Sequence, residues 1–256
     1  MDRVGPMCRT VTDAALLLQA IARYDPKDSA SLDAEVPDYS AVLRAKTSAL
    51  RLGIPRAMFC QGLDPEIEAS MNEALRVLRR LTRGLSEVEL PTVSDLPSII
   101  INAEVYAFHA PHFLKHPKLY QPLTRQELQS GSRVTTPAYI QARRELDRIR
   151  RTIGNIFSSV DLLVTPTTPI LPITIEEAKN KPEDWRSIRN TSPFNIYGLP
   201  SISIPCGFGR SGLPVGLQIC GPYLGEPQIL ALAYAYEQET DWHIRRPART
   251  KDIHPN

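Results

Sequence analysis

Two serine pairs are the first candidates for chemistry in this chain. Ser130–Ser132 reads Ser-Gly-Ser, and Ser158–Ser159 follows a predicted helix. A serine cleaves an amide only when a proton acceptor activates its hydroxyl and N–H groups hold the oxyanion. Ser-Gly is frequent in ordinary turns, and no Gly-x-Ser-x-Gly elbow occurs. We predict that neither pair is catalytic, although a Ser-His-Asp set assembled from distant residues stays open.

Three histidines have a spacing typical of metal ligands. His109, His112 and His116 read H-x2-H-x3-H. Pro111 is predicted to break the helix that would bring their side chains to one face. We therefore predict no metal site. No cofactor is predicted either.

A basic lysine needs a buried position that lowers its pKa. Each lysine of this chain lies in a polar or proline-containing stretch, which does not favour such burial: Lys27, Lys46, Lys115, Lys118, Lys179, Lys181 and Lys251.

A threonine- and proline-rich loop is the leading candidate for a pocket wall. Asp161–Val164 is predicted to be a buried strand, and the prolines of Thr165–Pro169 cannot donate ladder hydrogen bonds. Loops that leave strand ends are where α/β proteins place ligands.

The stretch Phe194–Gly221 predicts two strands in the middle of a buried sheet. Ser201–Ile204 and Val215–Ile219 alternate at the strand period. Between them, glycines within 206–212 allow a tight reversal, so the pair should be antiparallel. A helix should follow from Pro227, with one apolar face formed by Ile229, Leu232, Ala233 and Tyr236.

A β-α-β unit is predicted earlier in the chain. Leu50–Ile54 alternates as a strand, Asp64 caps a helix, and Val88 with Leu90 begins a second strand, which should be parallel to the first. The buried helix face is predicted to hold Ile67, Met71, Ala74, Leu75 and Leu78.

Other segments complete the predicted layout. Thr10 caps a helix with a stripe of Ala14, Leu17, Leu18 and Ile21. Further helices are expected at 95–108 and from Thr136, the latter burying Leu146, Ile149, Ile153 and Phe157. The stretch containing Pro111, Pro117 and Pro122 should be a loop or lid, and 170–189 should be irregular.

Composition indicates one soluble globular domain. The chain has 256 residues, 42% hydrophobic and 23% charged, with a net charge of +2. That charge gives no reason to expect a nucleic-acid partner, and no apolar run is long enough to span a bilayer. The four cysteines, scattered without a CxxC pair, suit buried free thiols in a reducing compartment better than a disulfide framework or a zinc site. These features predict a cytoplasmic protein.

Five stretches together resemble the amidase signature family of serine hydrolases. The strongest are Asn195–Phe208 (NIYGLPSISIPCGF) and Gly212–Gly221 (GLPVGLQICG). Asp2–Leu18 is similar to the segment after that family's catalytic serine. Tyr139–Arg144 and Asp161–Pro169 match its later helix and strand. The resemblance covers nearly the whole chain but only the family's second half.

The resemblance implies a fold, a reaction and a missing part. The fold would be α/β, a mixed sheet with helices on both faces, here as a single incomplete domain over 1–256. The family hydrolyses amide C–N bonds with a nucleophilic Ser, a second Ser in a cis peptide and a basic Lys. Its serines lie in a Gly-Ser-rich tract upstream of Asp2, and no two of the 13 glycines here are adjacent. We therefore predict no catalytic residue in this chain.

Only pocket roles carry over to this chain from the family. The expected substrate-binding residues, with the two aromatic ones as an apolar wall, are Thr165, Thr167, Asn195, Gly198, Tyr106 and Phe194. The expected partners are a small-molecule amide and an N-terminal amidase half or a second copy. Without such a partner, an open sheet edge and an apolar patch are expected.

Three alternatives remain open at this point. The chain is an amidase polypeptide inactive alone, either truncated or one chain of a split amidase or amidotransferase. It is a non-catalytic binding or scaffold module, or it is an enzyme with a relocated nucleophile.

Overall fold

A computed structural model of the chain describes residues 4–28, 30–93, 96–180 and 185–246. Within these ranges the strands are β1 (Arg51–Ile54), β2 (Gly84–Glu87), β3 (Leu162–Pro166), β4 (Ser201–Phe208) and β5 (Pro214–Cys220). The helices are α1 (Val11–Ile21), α2 (Tyr39–Val42), α3 (Arg56–Phe59), α4 (Pro65–Leu81), α5 (Leu96–Phe113), α6 (Pro122–Gly131), α7 (Thr136–Ile153), α8 (Ile175–Asn180), α9 (Ser192–Tyr197) and α10 (Glu226–Gln238).

The five strands form one mixed sheet in the order β2-β1-β3-β5-β4. β1 is parallel to both β2 and β3, and β5 is antiparallel to both β3 and β4. The predicted parallel β-α-β unit and antiparallel hairpin are therefore confirmed, as is the mixed α/β class.

Local sequence signals explain why α4 and α10 form where they do. Asp64 accepts a hydrogen bond from the N–H of Glu66 and Pro65 occupies the first turn of α4. The predicted apolar faces of both helices are buried. In the hairpin the reversal occupies Gly209–Leu213, where Gly212 has a φ of +75° that favours glycine.

Each face of the sheet carries its own apolar core. On one face, side chains such as Val164, Leu217 and Ile219 pack against α1, α2, α4 and α10. On the other, Leu163 and Cys220 pack against α3, α5, α7 and α9. The second group of helices covers β1, β3 and the end of β5 but not β4, whose Ser201 and Ser203 are exposed.

The position of β4 corrects one prediction. We expected both strands of the hairpin in the middle of the sheet, but β4 is an edge strand of the described sheet, with β5 as its neighbour. Alternation reports only that one face of a strand is buried, so it does not distinguish an edge strand from a central one.

The buried stripe of α1 also differs from the prediction. Val11 and Ala15 are buried, whereas Leu17 and Ile21, predicted to face the core, are 43% and 49% exposed. The helix is apolar almost all round, so its periodicity does not single out one face.

Several proline-rich segments are more helical than predicted. Pro111 lies inside α5 instead of ending it, and Pro122 begins α6, so the predicted loop is wrong. Packing of α5 against α6 and α7 offsets the lost N–H at Pro111. The predicted start at Asp95 lies outside the described residues.

Two element boundaries also moved. The strand expected at Val88–Leu90 is instead β2, which begins at Gly84. β3 continues through Thr165 to Pro166, which was expected to leave the sheet; a proline lacks only the donor and can end a strand.

The segment expected to be irregular contains α8. Thr174 and Glu177 form a reciprocal capping box at its start. The Thr-x-x-Glu spacing is a sequence signal for a helix start, and it was available in the sequence.

One buried contact joins the two ends of the described fold. Glu237 of α10 accepts a hydrogen bond, at 2.9 Å, from the backbone N–H of Val11. That N–H belongs to the first turn of α1, where helix donors have no partner within the helix. The carboxylate therefore acts as a cap supplied from 226 residues away.

We predict that Glu237→Ala lowers the free energy of unfolding by about 1–3 kcal/mol, because it leaves the buried Val11 N–H unsatisfied. Glu237→Gln should retain most of the stability, since its amide oxygen can still accept the hydrogen bond. Urea unfolding monitored by circular dichroism measures both, with exposed Glu239→Ala as the control. An equal loss of stability in Glu237→Gln and Glu237→Ala would contradict the role of the side-chain oxygen as acceptor for the Val11 N–H.

Candidate functional site

A buried amide network lies where β3 and β5 meet α9. The side chain of Gln218 donates to the hydroxyl of Thr165, at 2.9 Å, and to the carbonyl of Asn190, at 3.0 Å. The side chain of Asn190 donates in turn to the carbonyls of Phe59 and Pro166, at 3.1 and 3.0 Å. Asn190 and Thr165 have no exposed surface. The network therefore fixes the end of β3 through Thr165 and Pro166.

A pair of hydroxyls lies one step further along the same face. The Oγ atoms of Thr167 and Ser203 are 2.6 Å apart. Between them lies Gly216, where an added Cβ would come within 2.6 Å of the Thr167 oxygen and 2.9 Å of the Ser203 oxygen. The absence of a side chain at Gly216 is therefore what allows the two hydroxyls to meet.

Strand register puts all these groups on one sheet face. Thr165, Gln218 and Ser203 are paired across β3, β5 and β4, so their side chains project to the same side. Ser201 lies two residues before Ser203 and shares that side. This surface, which we call the hydroxyl face, consists of Ser201, Ser203, Thr165, Thr167 and Gln218. It is buried towards β3 and open at β4.

The structure brings together some of the predicted substrate-binding residues. Thr165 and Thr167 both lie on the hydroxyl face, the first buried and the second half-buried. Phe194 is buried and stacks on Phe59 with ring centres 5.2 Å apart, so it adjoins the network through the residue whose carbonyl binds Asn190.

The other predicted residues are placed differently. Gly198 ends α9 in the left-handed conformation, with φ of +73°, and its N–H donates to the carbonyl of Phe194. Asn195 is exposed on α9. Tyr106 lies where α5 packs against Gly131 of α6, and no hydrogen bond or ring contact among the described residues joins it to the hydroxyl face.

Sequence reasoning missed Asn190, Gln218 and Ser203. A polar residue inside an apolar strand, as Gln218 is in VGLQIC, was the available signal, because a buried amide needs partners. Asn190 directly follows the segment 170–189, which was predicted to be irregular, and the sequence carried no sign of its burial.

Burial disfavours the nucleophilic thiolate form of two cysteines. Burial raises the pKa of the Cys206 thiol to about 12 and the pKa of Cys220 well above its ordinary value. All four cysteines are free thiols, as predicted, but the predicted burial holds only for Cys206 and Cys220, since Cys60 is partly exposed and Cys8 is exposed. Five lysines fall within the described ranges and are exposed; Lys181 and Lys251 lie outside them.

The histidines surround a tyrosine. The hydroxyl of Tyr120 lies 3.1 Å from Nδ1 of His112 and 3.3 Å from Nδ1 of His109. Because α5 continues through Pro111, the stated reason against a shared face was wrong. Within the described ranges, no group of three or more His, Cys, Asp or Glu is placed to hold a metal ion.

A family model described as amidase matches residues 1–230. The chain belongs to the amidase family. Curated relatives agree: it is 35% identical over 276 residues to a glutamyl-tRNA(Gln) amidotransferase subunit of Gloeothece citriformis, covering 96% of this chain and 57% of that protein. The corresponding amidotransferase subunit of Myxococcus xanthus is 38% identical over 276 residues, with 96% and 56% covered.

Solved amidases share the fold. A bacterial aryl acylamidase of the amidase signature family superposes with a TM-score of 0.80 at 22% identity, over 95% of this chain and 55% of that one. The Thermotoga maritima glutamyl-tRNA(Gln) amidotransferase subunit gives 0.69 at 25% identity, over 93% and 53%. This amidase chain thus spans little more than half the length of its relatives. No helix among its described residues is both long and apolar enough to cross a membrane.

We predict that Asn190→Ala lowers the free energy of unfolding by about 2–4 kcal/mol, because it leaves the buried carbonyls of Phe59 and Pro166 without donors. Asn195→Ala is the matched control: it removes the same amide from an exposed position and should change stability by no more than about 0.5 kcal/mol. Denaturant unfolding measures both. Equal effects at the two positions would show that the network does not hold β3.

Proposed function

We propose that this chain forms one wall of an amidase active site and takes part in the cleavage of amide C–N bonds, with the nucleophile and base supplied by another segment. That segment carries the nucleophilic Ser, the cis-peptide Ser and the basic Lys implied by the family, on the same polypeptide or on a separate one. The chain alone is then inactive, a single incomplete amidase domain. No cofactor or metal takes part.

The observation that carries the proposal is the hydroxyl face. It combines a rigid buried floor of Thr165 and Gln218 with an open side at Thr167 and Ser203. Hydroxyls can donate to an amide carbonyl and accept from an amide N–H, which are the two polar groups of the expected substrate. The described helices leave this side of β4 uncovered, so a second body has room to close the pocket.

The same face supports roles for individual residues. Thr167 and Ser203 orient the amide group of the substrate, and Thr165 positions the backbone that carries Thr167. Phe194 supports the floor through Phe59. Asn195, on the exposed side of α9, and Gly198, at its end, border the pocket; Tyr106 belongs to an outer apolar wall. Free thiols suit a cytoplasmic location.

Turnover of small aryl and alkyl amides tests the proposal. The purified chain alone should show none. When it is coexpressed with the part of the Myxococcus xanthus relative that this chain does not match, amide cleavage should appear and should be abolished by a serine-directed fluorophosphonate. The labelled serine should map to the added segment. Turnover by the chain alone, blocked by the same reagent and lost in Ser130→Ala, would contradict the proposal.

Removal of the Thr167 hydroxyl tests the substrate-orienting role. In the coexpressed assembly, Thr167→Val should raise KM about five- to tenfold, since one hydrogen bond to the amide is lost while the side-chain volume is kept. Thr167→Ser keeps the hydroxyl and should stay within about twofold of the parent. The initial-rate measurement counts against this role if Val and Ser variants have the same KM.

A further inference from the structure

The outer face of α1 is unusually apolar for a surface helix. Leu16 is 55% exposed, Leu17 43% and Ile21 49%, and Ala20 lies between them on the same side. Asp13 is the one charged residue among the eleven of this helix. The segment before α1 enlarges the patch, because Val4 and Met7 are almost fully exposed. We call this surface the α1 patch: Val4, Met7, Leu16, Leu17, Ala20 and Ile21.

Two other helices show what a solvent-facing surface looks like in this chain. The exposed side of α4 carries Glu68, Glu73, Arg76, Arg79 and Arg80. The exposed side of α7 carries Arg144, Asp147, Arg148 and Arg151. A helix that is apolar all round is normally buried on all sides. The α1 patch therefore has the composition of an interface, while α4 and α7 have that of a free surface.

The inner face of α1 is already held in place. Val11 and Ala15 are in the core, and Glu237 caps the first turn. The outer leucines consequently cannot turn inward without breaking that packing. Contiguous exposed apolar surface of this kind marks a binding site for another protein surface.

We propose that the α1 patch is the docking surface for the remaining part of an amidase domain, the part present in the relatives and not matched by this chain. The relatives supply the argument for this occupant. The match to the Gloeothece citriformis subunit includes 96% of this chain but only 57% of that protein, so the relative has a further part that this chain does not match. The inference rests on the proposed function and adds the surface through which the second segment attaches. The hydroxyl face and the α1 patch lie on opposite sides of the sheet, so the occupant must reach around β4, which is free at its outer edge.

A substitution that should affect assembly but not the stability of the chain alone tests this surface. Leu17→Lys should leave the unfolding midpoint of the chain alone unchanged, because the side chain already faces solvent there. In coexpression with an affinity-tagged polypeptide comprising the unmatched part of the Myxococcus xanthus relative, the parent chain should be retained on the affinity resin. Leu17→Lys should reduce retention about tenfold or more, since a buried leucine is replaced by a charge.

The matched control is Ile140→Lys on α7. Ile140 is 43% exposed, as Leu17 is, but lies on a helix whose exposed side is charged. It should be retained as well as the parent chain. Equal retention of Leu17→Lys and Ile140→Lys would overturn the proposal, and so would failure of the tagged segment to retain the parent chain. A lower unfolding midpoint for Leu17→Lys alone would assign Leu17 to internal packing and also overturn it.

Light scattering of the chain alone tests the alternative that a second copy of the chain occupies the α1 patch. Were the parent chain a dimer that Leu17→Lys converts to a monomer, the α1 patch would bind a second copy, and the proposed occupant would be wrong. Retention without amide turnover would uphold the docking surface and reject the proposed function. Amide turnover in an assembly that Leu17→Lys leaves intact would uphold the proposed function and reject the docking surface.

Discussion

The buried side chain of Asn190 is the interaction on which the candidate site depends. Its side-chain NH2 group donates to the carbonyl of Phe59, at the end of α3, and to that of Pro166, at the end of β3, while the backbone carbonyl of Asn190 accepts from the side chain of Gln218 on β5. Three separate segments thus converge on one residue with no exposed surface. Buried polar groups are costly unless fully paired, so this arrangement admits few alternatives and keeps the hydroxyl face rigid.

Helix coverage of the sheet is unequal, and the inequality follows from the strands themselves. On the covered side of β4 the chain places Ile202, Ile204 and Cys206, whereas the other side receives Ser201 and Ser203. A strand with small hydroxyl residues on one side offers little apolar area for a helix to bury. The open face is therefore a property of the sequence, and it is also where the hydroxyls of Ser203 and Thr167 meet.

The parts that the sequence predicted best were those with several agreeing local signals. α4 combined a cap, a first-turn proline and five apolar positions at helical spacing, and the structure buries all five. By contrast, the stripe on α1 was misplaced because nearly every position in it is apolar, and β4 was misplaced because pairing partners leave no trace in alternation. The prediction that Pro111 ends its helix was wrong, because packing of α5 against other helices outweighs the loss of one N–H donor.

The site was predicted only in part for a related reason. Thr165 and Thr167 were recognisable because they follow the strand predicted at Asp161–Val164. Asn190, by contrast, becomes buried through contacts with residues 131 and 24 positions away. Long-range pairing of this kind is decided by the assembled sheet and not by neighbouring residues. Periodicity and capping describe local order, and they do not reveal which polar side chain the core encloses.

The cap that Glu237 provides to α1 has a consequence for biosynthesis. α1 leaves the ribosome before the other described helices, whereas its capping carboxylate is synthesised 226 residues later. At a synthesis rate of about 5–20 residues per second, α1 waits at least about ten seconds for this contact. During that interval the side of α1 that packs against α10 lacks that partner, so this side is open to binding by chaperones.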